Sequence, residues 1–332
     1  MRRLALALIF AAAPAWANDS TAELDNNGLR LLHEPDIAMA SEDLSISDKA
    51  VHIVYEFVNH GASDKVVTLA FPMPDITGGV DANVGLPSTD SSDPFHFRVS
   101  ADGVPAGVHL EAAAFVGATD VTARLKAMHV PLMPFAKGAG EALDHQPTLE
   151  KPKLVKEGLA AEEQYASKPD GPMEKHLTPL WTWRAAYVWR QNFPAGRPVR
   201  LLQDYAPSVG GTAGTQVGHA GWRASEDGRT YLARYCIDGD FEASVKRAAA
   251  AAHAEYSPFT EERINYVLRT GANWAGPIGR FHLTVDKGAP NTLISFCGEG
   301  VRKLDATRFE MSASDFTPKD DLHILILTPL AR

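Results

Sequence analysis

The residue types that catalysis requires are all present in this chain, but they are not spaced as in known catalytic motifs. The sequence contains no Gly-x-Ser-x-Gly, His-Glu-x-x-His, Cys-x-x-Cys or phosphate-binding lysine motif. Residues 210–218 are rich in glycine, yet no lysine follows them to hold a phosphate. No two of the twelve histidines have the i, i+2 or i, i+4 spacing of zinc ligands. The sequence therefore predicts no catalytic residue, no metal site and no cofactor.

Carboxylates that meet only on folding are a route to catalysis that motif spacing does not reveal. Asp204 and Glu299 are examples of side chains that could form such a pair. Two carboxylates roughly 5–9 Å apart are typical of glycoside hydrolases. This leaves an envelope hydrolase as the alternative to a chain without catalytic function.

The first 17 residues have the three parts of a secretory signal peptide. Arg2 and Arg3 form a basic start, residues 4–13 are apolar, and Ala15-Trp16-Ala17 is a small-x-small cleavage site. The apolar run is much shorter than the ~20 residues of a membrane span. We therefore expect cleavage after Ala17 and a periplasmic location.

The charge of the mature chain argues against polyanionic partners. Without Arg2 and Arg3, the 32 Lys and Arg residues become 30 against 41 Asp and Glu, a net charge of about −11. A chain this acidic is a poor match for nucleic acid or anionic membrane surfaces.

Two cysteines in an exported chain most simply form one disulfide, Cys236–Cys297. A nucleophilic thiol is the alternative, and it would need a lowered pKa and a neighbouring base. Of these two alternatives, we predict the disulfide.

Four large aromatic side chains follow a strict two-residue period in residues 181–190, which places them on one face of a strand: Trp181, Trp183, Tyr187 and Trp189. One interpretation is that the rings fill a β-sandwich core. The other is that some of them form an exposed platform that stacks on sugar rings or on a partner peptide. Both interpretations remain open from the sequence.

Hydrophobic periodicity predicts a mostly β fold with two antiparallel, sandwich-like units. The N-terminal unit covers residues 18–116, where apolar residues alternate in short runs separated by turns. Residues 117–180 are a helical, proline-rich insertion or linker. The C-terminal unit, 181–332, is β-rich, with helices predicted at 240–254 and at 260–270. Helix-like spacing of Ile264, Val267 and Leu268 supports the second helix.

A turn follows that predicted helix, and its residue types suggest a packing motif: Asn273, Trp274, Gly276, Pro277 and Gly279. Five segments, this one among them, resemble a bacterial exported family of unknown function, DUF4424: Asn18–Ala22, Ser41–Ile46, Ala70–Asp75, Ala272–Gly279 and Phe296–Gly300. The resemblance extends over the whole mature chain. It implies a periplasmic location and a largely β architecture, and it brings no catalytic residues.

A second resemblance is confined to residues 45–75, where a strand-turn-strand ends in Phe-Pro-Met-Pro. This segment is similar to vault and inter-alpha-trypsin-type sandwich domains, which act through protein–protein contacts. Together these observations predict a non-catalytic binding or assembly module for an unidentified envelope protein or glycan, with its oligomeric state left open.

Overall fold

The computed structural model describes residues 19–25, 28–166, 168, 170–219, 221–252 and 257–330. The predicted signal peptide, residues 1–17, lies outside the described residues. Strands dominate the described chain, which confirms the mostly β prediction.

The first half of the chain contains thirteen strands and three short helices within the described residues. In chain order they are β1 (Ser20–Asp25), β2 (Gly28–Leu32), β3 (Ile37–Ile46), β4 (Val51–Asn59), β5 (Lys65–Pro72), β6 (Ile76–Thr77), β7 (Val84–Gly85), β8 (Arg98–Ala101), β9 (Val104–Pro105), β10 (His109–Val116), β11 (Thr119–Asp120), α1 (Thr122–Ala127), α2 (Ala139–Asp144), α3 (Lys151–Lys156), β12 (Ala160–Tyr165) and β13 (Glu174–Pro179).

The second half continues with longer strands and the two longest helices of the described chain. They are β14 (Thr182–Phe193), β15 (Pro198–Tyr205), β16 (Val209–Thr212), α4 (Glu226–Arg234), α5 (Gly239–Ala252), β17 (Phe259–Tyr266), β18 (Ile278–Asp286), β19 (Leu293–Phe296), β20 (Arg302–Lys303), β21 (Arg308–Phe316) and β22 (Leu322–Pro329). Two 3-10 turns, Trp222–Ala224 and Arg269–Asn273, precede α4 and follow β17.

The strands form three large sheets and one hairpin. An eight-stranded sheet has the order β20-β21-β18-β3-β4-β15-β8-β9, and a seven-stranded sheet has β11-β10-β14-β5-β1-β2 with β6 paired to β14. A five-stranded sheet runs β19-β22-β17-β16-β7, and β12 pairs with β13 alone. Pairing is antiparallel except between β18 and β3. Strands from residues 18–116 and strands from residues 181–332 therefore lie side by side in the same sheets. The predicted boundaries of the two units remain predictions.

The main hydrophobic core lies where the three large sheets meet. Each strand contributes alternate residues to it, because successive side chains of a strand point to opposite faces. Buried members include Phe57 of β4, Phe71 of β5, Tyr187 of β14 and Ile324 of β22. A smaller core under α1–α3 joins the insertion to the seven-stranded sheet.

The predicted helix 260–270 is wrong. Residues 259–266 form β17, which is paired with β22 on one side and β16 on the other. The buried positions shift parity within the strand, from Phe259 and Glu261 to Ile264 and Tyr266. Of the three residues with helical spacing, Ile264 lies in β17, while Val267 and Leu268 lie after its end, and strand pairing decides the conformation.

The sequence of residues 230–236 predicts a strand that ends at Cys236, and the Asp227-Gly228 pair predicts a hairpin turn before it. Both predictions are wrong, because residues 226–234 form the helix α4. Ser225 caps the helix, its Oγ accepting a hydrogen bond from the Gly228 N–H. The Asp227-Gly228 pair expected in a hairpin turn lies in the first helical turn instead. The helix predicted at 240–254 is found as α5, and residues 253 and 254 lie outside the described part.

The sequence of residues 153–165 predicts one helix within the insertion, but the structure has two elements there. Helix α3 ends at Lys156, and Gly158 follows with a positive φ of 73° before β12 begins. Glycine adopts that conformation readily, so the chain can reverse there. The helical part of the insertion is therefore shorter than the sequence suggested.

Candidate functional site

The outer face of the eight-stranded sheet has a row of polar residues that crosses five adjacent strands. The row consists of cross-strand neighbours, in order Thr284, Ser45, His52, Asp204 and Arg98. The core-facing residues of the same strands are mostly apolar, and the residues of the polar row occupy the alternate, outward positions. We call this set the polar row.

His52 and Asp204 form the central contact of the polar row, between His52 Nδ1 and Asp204 Oδ1. The two side chains are 60% and 54% exposed. A hydrogen-bonded pair this exposed contributes little to stability, because water competes for both side chains. The pair is therefore available for contacts with a ligand.

An open cleft of about 270 Å³ adjoins Asp204 at the β8–β9 end of the sheet. Its lining is mostly apolar and includes Phe97, Ser100, Pro105, Val108 and Leu202, with Asp204 and Arg98 as the charged members. Residues Asp102 and Gly103 form the turn between β8 and β9, both with positive φ. That tight turn brings Pro105 opposite Ser100 and shapes the cleft wall.

Arg98 is oriented by Asp93. Its Nη1 donates to Asp93 Oδ2 at 3.0 Å and to the Phe97 carbonyl at 2.9 Å. Asp93 Oδ1 also accepts from the Tyr187 hydroxyl at 3.0 Å. Burial raises the Asp93 pKa, but the hydrogen bonds from Arg98 and Tyr187 outweigh it, so the net pKa is lowered. Asp93 therefore stays ionised and holds the guanidinium beside the cleft.

The aromatic face predicted on residues 181–190 is buried. Trp183, Tyr187 and Trp189 lie in the main core and Trp181 in the smaller core, each at most 2% exposed. The exposed-platform interpretation is therefore wrong. The physical reason is that β14 is an interior strand between β10 and β5, with the neighbouring sheet packed on these rings.

The predicted disulfide is present. Cys236 and Cys297 are bonded at 2.04 Å, and no cysteine is left free. The bond joins the end of α4 to the residue after β19. It thereby ties the α4–α5 region to the edge of the five-stranded sheet.

The predicted packing motif binds the start of the described chain. The Trp274 indole Nε1 donates to the Asp19 carbonyl at 2.8 Å, and Asn273 Nδ2 donates to Ser20 Oγ at 3.0 Å. Gly276 has a φ of 82°. At Gly279 a Cβ would lie 2.7 Å from the Ala40 carbonyl oxygen, so only glycine allows β18 to approach β3 this closely. Pro277 directly precedes β18.

A buried polar cluster that no sequence motif predicts adjoins that contact. Asp19 Oδ2 accepts from Gln203 Nε2 at 2.6 Å, and Glu42 Oε1 accepts from the Tyr266 hydroxyl at 3.3 Å. The Tyr55 and Tyr266 hydroxyls are 3.3 Å apart. Burial, together with the nearby Glu42 charge, raises the Asp19 pKa against the effect of the Gln203 hydrogen bond. A polar residue in the middle of an apolar alternation, as at Gln203, is the signal that could have revealed it.

The two carboxylates named for a hydrolase are not brought together. Asp204 lies on β15, whereas Glu299 lies three residues before β20, which is five strands away in the same sheet, roughly 24 Å at the usual strand spacing. Among the described residues, no group of three or more His, Cys, Asp or Glu side chains is placed to hold a metal ion. Within the same residues, no helix is long and apolar enough to cross a membrane.

Comparison with known proteins gives one family match. Residues 17–325 match the family DUF4424, described as a domain of unknown function. No curated protein matches the chain. The solved structure of a "putative nutrient binding protein" from Legionella pneumophila subsp. pneumophila is similar, with 15% identity and a TM-score of 0.43. The likeness covers 94% of this chain and 70% of that one, and it carries no information on function here.

Proposed function

The chain belongs to the DUF4424 family, a domain of unknown function, and from that premise we propose that it is an exported, non-catalytic binding or assembly module for an envelope protein or glycan. The leader sequence ending at Ala15-Trp16-Ala17 supports export, with cleavage after Ala17 and residence in the periplasm. The disulfide agrees with an oxidising compartment.

The cleft beside Asp204 is the observation that carries the binding role. Pockets that enclose a whole small molecule usually measure ~300–1,000 Å³ and bury most of the ligand. This cleft measures about 270 Å³ and is open to solvent. Its size suits one sugar ring or one side chain of a larger partner. The apolar lining would contact the face of that group, while Asp204, His52 and Arg98 would bind polar atoms at its edge.

The geometry favours binding over hydrolysis. Asp204 is the only carboxylate of the polar row, and its hydrogen-bonding partner there is a histidine and not a second carboxylate. Ser45 is the cross-strand neighbour of His52, which places Ser, His and Asp on three adjacent strands. No hydrogen bond joins Ser45 to His52, although a nucleophile needs that contact with its base.

Filling the cleft is the test of the binding role. Ser100 lines the cleft on β8, and Ser100→Trp would occupy the space of the bound group. The mature protein, immobilised and exposed to periplasmic extract and to peptidoglycan fragments, should retain a defined protein or glycan. The variant should bind the same component at least roughly tenfold more weakly, because the group in the cleft contributes a central contact.

Ser312→Trp is the matched control. Ser312 is an exposed outward residue of β21, on the same sheet but away from the cleft. Equal retention by the wild type and both variants would contradict a role for the cleft. Labelling of Ser45 by a fluorophosphonate probe, lost in Ser45→Ala, would contradict the non-catalytic role, because it would identify Ser45 as a nucleophile.

A further inference from the structure

The cleft at the β8–β9 end of the sheet carries two side chains of opposite charge. Arg98 and Asp204 are directly opposite each other on the paired strands β8 and β15, and both line the cleft. Residues opposite each other on neighbouring strands have Cβ atoms about 4.5–5.5 Å apart. The other lining residues are uncharged, and most of them are apolar. The cleft therefore presents one cation and one anion, side by side, next to an apolar lining.

Each of these charged side chains is bonded to a residue outside the cleft lining. Arg98 donates through Nη1 to Asp93 Oδ2 at 3.0 Å and to the Phe97 carbonyl at 2.9 Å, and Asp204 contacts His52 through Oδ1. These bonds engage one nitrogen of the guanidinium group and one oxygen of the carboxylate. Within the described residues, Arg98 Nε and Nη2 and Asp204 Oδ2 are thus left to bind a ligand.

Arg98 is held in place from the core. The Asp93 carboxylate that accepts from it also accepts from the Phe97 N–H at 3.1 Å and from the Tyr187 hydroxyl at 3.0 Å. Tyr187 is a buried core residue, whereas the Arg98 side chain is 68% exposed. An ion pair this exposed adds little to stability. A guanidinium group that is already held loses less conformational freedom when it binds, so the anchoring favours a role in ligand recognition.

A ligand group that carries both charges matches this pair best. Asp204 would repel a purely anionic group and Arg98 a purely cationic one, whereas both residues attract a zwitterion. The α-ammonium and α-carboxylate groups of an amino acid share one carbon and lie roughly 2.5 Å apart, so they can face side chains on two adjacent strands. A guanidinium group binds a carboxylate through two parallel hydrogen bonds. The apolar lining would contact the aliphatic chain that leads away from that carbon.

We propose that the cleft binds the zwitterionic end of an amino acid on an aliphatic chain, with Arg98 on the carboxylate and Asp204 on the ammonium group. The inference rests on the proposed binding function and deepens it by naming the chemical class of the ligand. A polypeptide has its α-ammonium and α-carboxylate groups at opposite ends, so it does not offer both on one carbon. The diaminopimelate residue of peptidoglycan stem peptides does, at the end of a short methylene chain. A free amino acid carries the same group.

The test uses three probes in calorimetric titrations of the purified protein. A disaccharide tripeptide that ends in meso-diaminopimelate carries the zwitterion, and the same compound with lysine lacks only the distal carboxylate. We expect the diaminopimelate compound to bind roughly tenfold more tightly, because only its carboxylate can bond to Arg98. Equal affinities, or no binding of either compound, would overturn the inference. Free meso-diaminopimelate distinguishes the sources: if it binds as tightly as the tripeptide, the zwitterion is upheld and the free amino acid is its source.

Variants assign the two charges separately. Arg98→Gln should bind both tripeptides with the affinity that the wild type has for the lysine compound. Asp204→Asn should weaken both, because both carry the ammonium group. Arg280→Gln is the matched control, since Arg280 is an exposed residue of β18, three strands from β15 in the same sheet, and it should keep the tenfold preference. A preference that survives in Arg98→Gln would overturn the inference.

Failure of this inference is distinguishable from failure of the binding role. If Ser100→Trp loses the component retained from the extract while the wild type does not discriminate between the two tripeptides, the cleft binds a ligand of another class and only the zwitterion is rejected. If Ser100→Trp retains that component as well as the wild type does, the binding role of the cleft is rejected, and the zwitterion with it.

Discussion

The Trp183 side chain is part of the hydrophobic core and not of a binding surface. Its ring is 1% exposed and stacks on Phe95 at a centroid distance of 6.2 Å. The alternation in this strand correctly places the ring on one face, but alternation alone does not say whether that face meets water or another sheet. Burial of a ring this large is a major contribution to the core.

Replacement of Trp183 by alanine should therefore destabilise the protein by about 3–5 kcal/mol, because it leaves a cavity that the neighbours cannot fill. Urea denaturation followed by circular dichroism measures the change. Arg190→Ala on the same strand is the matched control, since Arg190 is exposed, and it should change the stability by less than about 0.5 kcal/mol. A Trp183→Ala variant as stable as this control would contradict the core assignment.

His282 lies between two carboxylates on the outer face of the eight-stranded sheet. Its Nδ1 is 3.0 Å from Asp43 Oδ1 and its Nε2 is 3.2 Å from Glu310 Oε2. Burial lowers the His282 pKa, but the hydrogen bonds with Asp43 and Glu310 outweigh it, so the net pKa is raised. The protonated histidine is therefore the form that the folded state prefers.

From this shift we expect the stabilisation by His282 to be complete below the unfolded pKa of ~6.5 and to disappear as pH rises through the higher folded pKa. His282→Gln should lower the melting temperature at pH 5.5 and have little effect at pH 9. Thermal melts of both proteins across this range measure the difference. A loss of the same size at both pH values would show that the ring acts by packing alone.

At the level of elements, the sequence predicts β14 well, because the alternation of its aromatic residues agrees with their final burial. It fails at β17, because the helix-like spacing of Ile264, Val267 and Leu268 continues past the end of the strand at Tyr266. It predicts Asp204 as a site candidate but not its partner His52. The two residues are 152 positions apart, and only the pairing of β15 with β4 brings them together.

A substitution at Gly228 tests whether close packing against the preceding 3-10 turn determines where α4 begins. A Cβ at this position would lie 2.0 Å from the Trp222 carbonyl oxygen, which belongs to the preceding 3-10 turn. Gly228→Ala should therefore destabilise the protein by about 1–3 kcal/mol, as overpacking does elsewhere. Gly239→Ala at the start of α5 is the control, because nothing lies within 4 Å of its Cβ. Chemical denaturation should show that the control is neutral or slightly stabilising, and equal losses in both variants would contradict the packing argument.

At the scale of the whole molecule, the disulfide closes a long loop. Cys236 and Cys297 are 61 residues apart, and the segment between them contains α5, β17, β18 and β19. On the chain-entropy argument, replacement of both cysteines by alanine should cost about 4 kcal/mol. Guanidinium denaturation of the oxidised wild type and of the double variant measures the change. A double variant as stable as the wild type would show that the sheets alone restrain this region.

The parallel pairing of β3 with β18 also determines how long β3 remains unpaired during synthesis. Asp43 and His282, which face each other across these strands, are 239 residues apart. At synthesis rates of 5–20 residues per second, β3 waits roughly 12–48 s for its neighbour to emerge. During that interval the backbone N–H and C=O groups along one edge of β3 lack their partners, and we expect a holding chaperone to shield that edge. The eight-stranded sheet can therefore be completed only when the last third of the polypeptide has been synthesised.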